Sequence, residues 1–391
     1  MRMPFRVYVL ALGAFSLITT EFGVIGILPQ LADAFGVTIA QAGWLLSGFA
    51  LAIAVAGPWM TLLFSGINRK TSLCLVLSLF VASNIASIYA TDFALMFMAR
   101  ILPAFFHPIF WSVAMSVAAS SVQPDNAPKA VSIVFAGLNV GTVIGVPIAS
   151  LAADAQGWQA AFAVFAILNL TALLAHCLLL PSMPVVQRMS LGAQVGVLRK
   201  PILWWSLALQ VLLVAAAFSI YSYIAEYLKA VTSMDGRSIG IMLFLFGGAG
   251  FFGTLFTGWL VSKDLTRTVY GFIGALGLTL LLLFFFGEHY TPTVVIVVAW
   301  GFIHAASFLL GQTLITRAAP EAPVFSNSLF ASFGNFGLTV GTFVGGQAIA
   351  NFGIRTLPLS SVGLLTVTAF VFFIAQARQR ASASSPVTRT I

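Results

Sequence analysis

Long apolar runs, separated by short polar or glycine- and proline-bearing stretches, recur along the whole chain. Twelve are long enough to cross a bilayer as helices: residues 7–29, 40–64, 72–91, 93–119, 130–153, 158–180, 202–229, 238–262, 268–287, 292–316, 325–350 and 355–376. Between the sixth and seventh, PSMPVVQRMSLGAQVGVLRKP turns polar, basic and proline-bounded, the composition of a linker. The pattern predicts an all-α integral membrane protein. A six-helix unit over 1–180 is followed by a cytoplasmic linker over 181–201, a second six-helix unit over 202–377 and a disordered tail over 378–391.

Composition agrees, since a chain 60% hydrophobic and 7% charged has too little polar surface to enclose a water-soluble globule of 391 residues. The first run follows Arg2 and Arg6 but is too long for a signal-peptide core and lacks a small-residue cleavage site, so it reads as a retained helix. Of the 18 basic residues, fourteen fall on the N-terminal side of the membrane in this layout, three on the other side, and Arg100 within a span. That bias predicts cytoplasmic termini and accounts for the +8 net charge as topology; the charges are scattered over short loops, which excludes a nucleic-acid surface. Cys74 and Cys177 lie in apolar runs without metal-ligand spacing and read as small core residues.

The stretch FALMFMARILPAFFHPIFWSVAMSVAA (93–119) stands out because it carries Arg100 and His107. A cation in hydrocarbon is tolerated where it faces a partner or a polar cavity, so the face bearing both should look inward. The first span carries Glu21 about 21 Å from its cytoplasmic edge, the same depth as Arg100, and opposite charges at one depth are expected to approach each other or share water. Gly137, Gly141 and Gly145, followed by Pro147, form a smooth stripe that a neighbouring backbone can approach, with Pro147 able to bend the helix. Gly337, Gly341 and Gly345 repeat the stripe 200 residues on, His304 repeats His107 at 197 and Asn335 repeats Asn139 at 196. Parallel six-helix repeats are a transporter architecture with binding near the midplane between halves. Trp300, His304 and Gln312 share one helical face, Tyr221, Tyr223 and Tyr227 read as an interfacial aromatic belt, and Glu226 lies near the outer surface. Arg69 and Lys70 read either as topogenic charge or as part of a conformational latch.

The segments TTEFGVIGILPQLADAFGVT, ARILPAFFHPIFWSVAMSVA, AGLNVGTVIGVPIASLAADAQGWQAAF, YSYIAEYL, LFGGAGFFGT and SFGNFGLTVGTFVGGQAI resemble the major facilitator superfamily, in its drug/proton antiporter branch. Bacterial sugar efflux and arabinose-efflux-like transporters are the nearest likeness. The glycine-rich fifth span ending in Pro147 is similar to the exporter signature of that superfamily, which implies efflux, and the branch implies proton exchange. Arg100 matches the family's fourth-span arginine, linked to proton transfer, and Glu21 lies in its first-span acidic region. The chain departs from the family in the loop between the second and third spans. There Thr61, Ser65, Gly66 and Asn68 stand where the family has its opening glycine, its Asp-Arg pair and the glycine before Arg-Lys, and only Arg69 and Lys70 remain, so the latch supplied elsewhere by the aspartate is absent or rebuilt.

The resulting expectation is a proton-driven exporter working by alternating access, with Glu21, Arg100 and His107 as the proton-coupling set; His107 either relays protons or makes a helix-to-helix hydrogen bond. Candidate substrate contacts are Phe106, Phe110, Trp111, Asn139, Tyr221, Glu226, Trp300, His304, Gln312 and Asn335, a lining suited to sugars, nucleosides or amphipathic drugs. Sister proteins of the branch resemble purine nucleoside and chloramphenicol exporters. The expected partners are a small-molecule substrate, protons and the lipid bilayer of a bacterial inner membrane, with no nucleic acid, metal or cofactor and nothing demanding more than a monomer. No pore filter segment or HExxH is present to favour a channel or an intramembrane enzyme.

Overall fold

A computed structural model describes residues 3–123, 126–184, 196–320 and 323–384. Among them twelve helical units follow in chain order. The first six are α1 (Phe5–Phe35), α2 (Trp44–Leu63), α3 (Arg69–Ile88), α4 (Phe93–Ser120), α5 (Ala130–Gln156) and α6 (Trp158–Leu179). The second six are α7 (Pro201–Ala230), α8 (Gly236–Lys263), α9 (Leu265–Phe286), α10 (Tyr290–Ala318), α11 (Pro323–Phe352) and α12 (Leu357–Ser384). Among the described residues, eleven helices are long and apolar enough to span a membrane by composition; α11 is not one of them. Its 30 residues carry Asn335, Thr339, Thr342 and Gln347 and pack on both α7 and α2, so much of its polar surface meets protein.

Helix starts are fixed by side chains that accept the first free backbone N–H groups. Asn68 accepts from Lys70, Asp92 from Leu95, Asp235 from Ser238 and Asp264 from Arg267, at 2.9–3.0 Å. The turns from α5 to α6 and from α11 to α12 pass through Gly157 (φ 85°) and Gly353 (φ 82°), a left-handed geometry that only glycine adopts readily. These two turns, 196 residues apart, are one element built twice.

The helices α1, α4, α7 and α10 are each broken. α1 passes through a 3-10 turn at Val24–Ile27 ahead of Pro29, and α4 splits into Phe93–Ala104 and His107–Ser120, with Pro103 and Pro108 flanking the gap. α7 breaks at Ser222, whose Oγ donates back to the Phe218 carbonyl at 2.7 Å, and α10 breaks after His304. The stretch 93–119 is thus two helical pieces rather than one continuous helix.

Each half repeats the same packing: α1 on α5 and α7 on α11, α2 on α4 and α8 on α10, α3 on α6 and α9 on α12. The glycine stripes make the first of these contacts. A Cβ on Gly141 would lie 3.0 Å from the Phe15 carbonyl oxygen, and one on Gly337 2.7 Å from that of Val211; Gly137 lies against Ala11, Gly145 against Thr19, Gly341 against Ala215 and Gly345 against Ser219. The stripes therefore pack helices within each half. A π-turn runs through Gly141–Gly145, just before the buried Pro147.

Several expectations change. The three tyrosines form no belt: Tyr221 is 7% exposed and Tyr223 and Tyr227 1%, because the break in α7 turns them inward, where Tyr223 and Tyr227 donate to the Thr342 and Leu283 carbonyls at 2.9 Å. α12 runs to Ser384, past the residue where the tail should begin, and residues 385–391 lie outside the described set, as do 185–195 of the linker. Cys74 and Cys177 are not core residues; they are half-buried and exposed, with their free thiols 3.3 Å apart across α3 and α6.

Candidate functional site

In the first half, four helices place polar groups at one point beside the break in α1. Glu21 is 3% exposed, Arg100 1% and His107 4%. The His107 Nε2 lies 3.3 Å from the Glu21 Oε2, and the Trp111 indole nitrogen, one turn along α4, lies 3.0 Å from the same Nε2. The Arg100 guanidinium donates to the Thr20 carbonyl at 3.3 and 3.4 Å and to the Glu21 carbonyl at 3.4 Å, with the Phe49 and Phe162 rings 5.4 and 6.0 Å away. Thr20 joins the network through its hydroxyl, which accepts from Asn169 on α6 at 2.7 Å and from Asn84 on α3 at 3.3 Å. Arg100 therefore does reach Glu21, but by its backbone; the carboxyl group belongs to His107. The gap in α4 separates the two, so its second piece aims His107 at Glu21 independently of Arg100. Sequence reasoning missed Thr20, Asn84 and Asn169; the signal available was an asparagine in the interior of each of two mainly apolar spans.

The second half holds a neutral counterpart. His304 packs on Tyr221 (ring centroids 4.7 Å), Phe246 (5.2 Å) and Phe218 (5.3 Å), and Tyr221 stacks on Phe246 at 4.8 Å and 15°. Trp300 closes the cluster at 1% exposure, and neither its indole nitrogen nor the His304 Nδ1 has a hydrogen-bond partner among the described residues. Phe218 meets Phe22 of the first half at 5.8 Å.

The remaining expected contacts are scattered. Phe110 is 0% exposed, its ring seated against Gly13 and His176 within the first bundle, so it lines no cavity here. Phe106 packs edge-on against Phe64 at 6.0 Å. Gln312 is half-buried beyond the break in α10, and Asn335 donates to the Ala331 carbonyl at 3.0 Å while its own side-chain oxygen is buried without a partner among the described residues. Glu226 is half-buried on the last piece of α7; the Asn139 side chain lies outside the described residues. Arg69 donates to Ser120 at 3.3 Å, a contact inside the first half, and Lys70 is half-buried at the start of α3.

The two halves meet mainly toward the end away from the termini. Lys229 and Asp33 pair at 2.9 Å, the Thr339 hydroxyl donates to the Ser47 carbonyl at 3.1 Å, Gly247 of α8 lies against Val143 of α5, and the Asp154 carboxylate lies against Gly236 in the first turn of α8. An acidic group there faces the positive end of a 28-residue helix.

The Major Facilitator Superfamily model matches residues 10–324. The chain belongs to that family. It is 30% identical over 383 residues to the inner membrane transport protein YdhP of Escherichia coli K12, covering 97% of this chain and 98% of the relative. Among solved structures, the nucleoside transporter NupG matches with a TM-score of 0.75 at 15% identity, over 95% of this chain and 99% of that one. A bacterial homolog of the human lysosomal transporter Spinster, inward-facing and occupied, matches at 0.78 and 18%, over 96% and 98%. At such identities the two structures speak to the fold alone: the major facilitator arrangement of two six-helix halves. The chain is a multi-pass membrane protein of a transport family.

Proposed function

We propose that this transporter exports a small neutral polar or amphipathic solute in exchange for protons, with a sugar or sugar analogue as the first candidate. The observation that carries the reading is the buried Glu21 carboxyl, held by His107 beside a fully buried Arg100. A carboxyl that must be either neutral or paired in a medium without water responds to its proton by changing partners, and a change of partners between helices is a change of shape. The neutral aromatic layer around His304 and Tyr221 supplies flat apolar surface and no net charge, which suits an uncharged solute. Contacts gathered toward the end away from the termini support a state closed there and open toward the termini. The basic-residue bias supports cytoplasmic termini, and the relative's name supports an inner-membrane location.

In vesicles, Glu21→Gln is expected to abolish transport driven by a proton gradient while leaving solute exchange measurable; gradient-driven export at the normal rate removes Glu21 as the coupling site. A thermal-shift screen with pentoses, thiogalactosides, nucleosides and chloramphenicol identifies the solute, since a ligand of the folded state raises Tm. The face-to-face Tyr221 and Phe246 rings favour one second reading, a nucleoside whose base stacks there, and the same screen separates the two.

A further inference from the structure

Two contacts converge on one ring nitrogen: His107 Nε2 has Glu21 Oε2 at 3.3 Å and the Trp111 indole nitrogen at 3.0 Å. An imidazole nitrogen presents either a hydrogen or a lone pair, and an indole nitrogen only donates. With a hydrogen on Nε2, two N–H groups would face each other at the Trp111 contact. With a bare Nε2 and an ionised Glu21, an anionic oxygen would face a lone pair. Both contacts can be donated only when Glu21 carries the proton and its O–H shares the single Nε2 lone pair with the Trp111 N–H; the ring hydrogen then sits on Nδ1, which is buried with no partner among the described residues.

We propose that Trp111 hands the proton state of Glu21 to the solute: its indole N–H is held by His107 while Glu21 is protonated and is released to an acceptor oxygen of the solute when Glu21 ionises. The inference rests on the proton-coupled reading above and assigns it a second residue. On discharge the Glu21 carboxyl gives its proton to water, the ring hydrogen exchanges through water from Nδ1 to Nε2, and Nε2–H donates to the new carboxylate. One proton leaves the site and the Trp111 N–H is left without an acceptor. A solute with an exposed carbonyl, ether or hydroxyl oxygen then gains a donor that the proton-loaded protein withholds, which makes proton and solute compete as exchange requires.

The surroundings leave this switch to Glu21 and His107. Among the described residues, the other buried charged or titratable groups of the first half are Arg100 on α4, bonded to backbone, and His176 on α6, beyond Phe110 with its Nδ1 on the Ala172 carbonyl. α2 and α3 face the His107 ring with Phe49 and Phe80, and α5 stacks Phe135 on Trp111 at 6.3 Å. At the matching place in α10, offset by the 197 residues that relate the two histidines, stands Phe308, which has no N–H to give.

The test uses full-length protein carrying 15N-labelled tryptophan in lipid nanodiscs, with indole spectra recorded across pH and the Trp111 signal identified by its loss in Trp111→Phe. One pH-dependent step in that signal is expected, and its loss in Glu21→Gln, where a neutral amide holds the loaded arrangement. Trp111→Phe, which keeps a ring against Phe135, is also expected to weaken proton binding at Glu21 about three- to tenfold, read from the carboxyl infrared band, because one hydrogen bond to the loaded state is gone. A Trp111 signal that is flat where Glu21 titrates, or that titrates identically in Glu21→Gln, overturns the inference. If Glu21→Gln does not fold, an unchanged proton affinity in Trp111→Phe overturns it alone. Gradient-driven transport that needs Glu21 together with a flat Trp111 signal sinks this inference and leaves the proton-coupled reading; transport indifferent to Glu21 sinks both.

Discussion

The two halves share a backbone plan and differ in what they put at its centre. The glycine contacts fix the correspondence of α1 with α7 at 200 residues, since Gly145 meets Thr19 where Gly345 meets Ser219, so Glu21 corresponds to Tyr221. The histidines fix α4 and α10 at 197, so Arg100 corresponds to the buried Val297. An acid touching a histidine in one half becomes a tyrosine ring packed at a tilt against a histidine in the other. One half concentrates the costly charge and the other offers neutral aromatic surface, and the proposed division of labour, proton on one side and solute on the other, follows from that asymmetry.

Removing the acid should produce the largest effect. Glu21→Gln is expected to eliminate gradient-driven transport, whereas Tyr221→Phe, which alters the corresponding position without touching charge, should retain it; equal loss in both would break the division. Next, Tyr221→Ala should leave a cavity among Phe246, Trp300 and His304 and cost about 3–5 kcal/mol, seen as a fall in Tm, because the ring loses packing that nothing refills. A matched pair follows. Gly341→Ala meets the Ala215 backbone alone and Gly141→Ala meets the Phe15 carbonyl and Ile18 side chain at 3.0–3.1 Å, so each should cost about 1–3 kcal/mol, with Gly341→Ala lowering Tm more because all three of its nearest contacts are backbone and they are closer. Smallest is Lys229→Ala: its pair with Asp33 is 48% and 73% exposed, so about 0–1 kcal/mol is expected, vanishing at high salt. Its measurable sign is a shift toward opening of the end away from the termini, read by spin-label distances across the two halves.

The loop between α2 and α3 shows how a departure from a family pattern is accommodated. Immediately before Arg69 and Lys70, Asn68 accepts from the Lys70 N–H, donates to Ser182 at 2.7 Å and accepts from the Met183 N–H at 3.3 Å. The loop is thereby tied to the start of the linker. This contact joins segments 114 residues apart and leaves no trace in local sequence.

Much was legible in advance because the bilayer is a severe solvent: twelve apolar runs, a buried acid and a buried arginine at one depth, and glycines repeating at an offset of 200 follow from the price of exposing polar groups to hydrocarbon. Partner choice was not legible. Depth put Glu21 opposite Arg100, yet depth says nothing about rotation or about the gap in α4 that gives the carboxyl to His107 and the guanidinium to backbone. Periodicity likewise placed Phe110 beside Trp111 but could not tell the ring seated on Gly13 from the one whose N–H reaches His107. Hydrophobic pattern sets how far along the membrane normal a residue lies; which neighbour it touches depends on helix breaks and on close contacts between distant segments, and those exist only once the chain is packed.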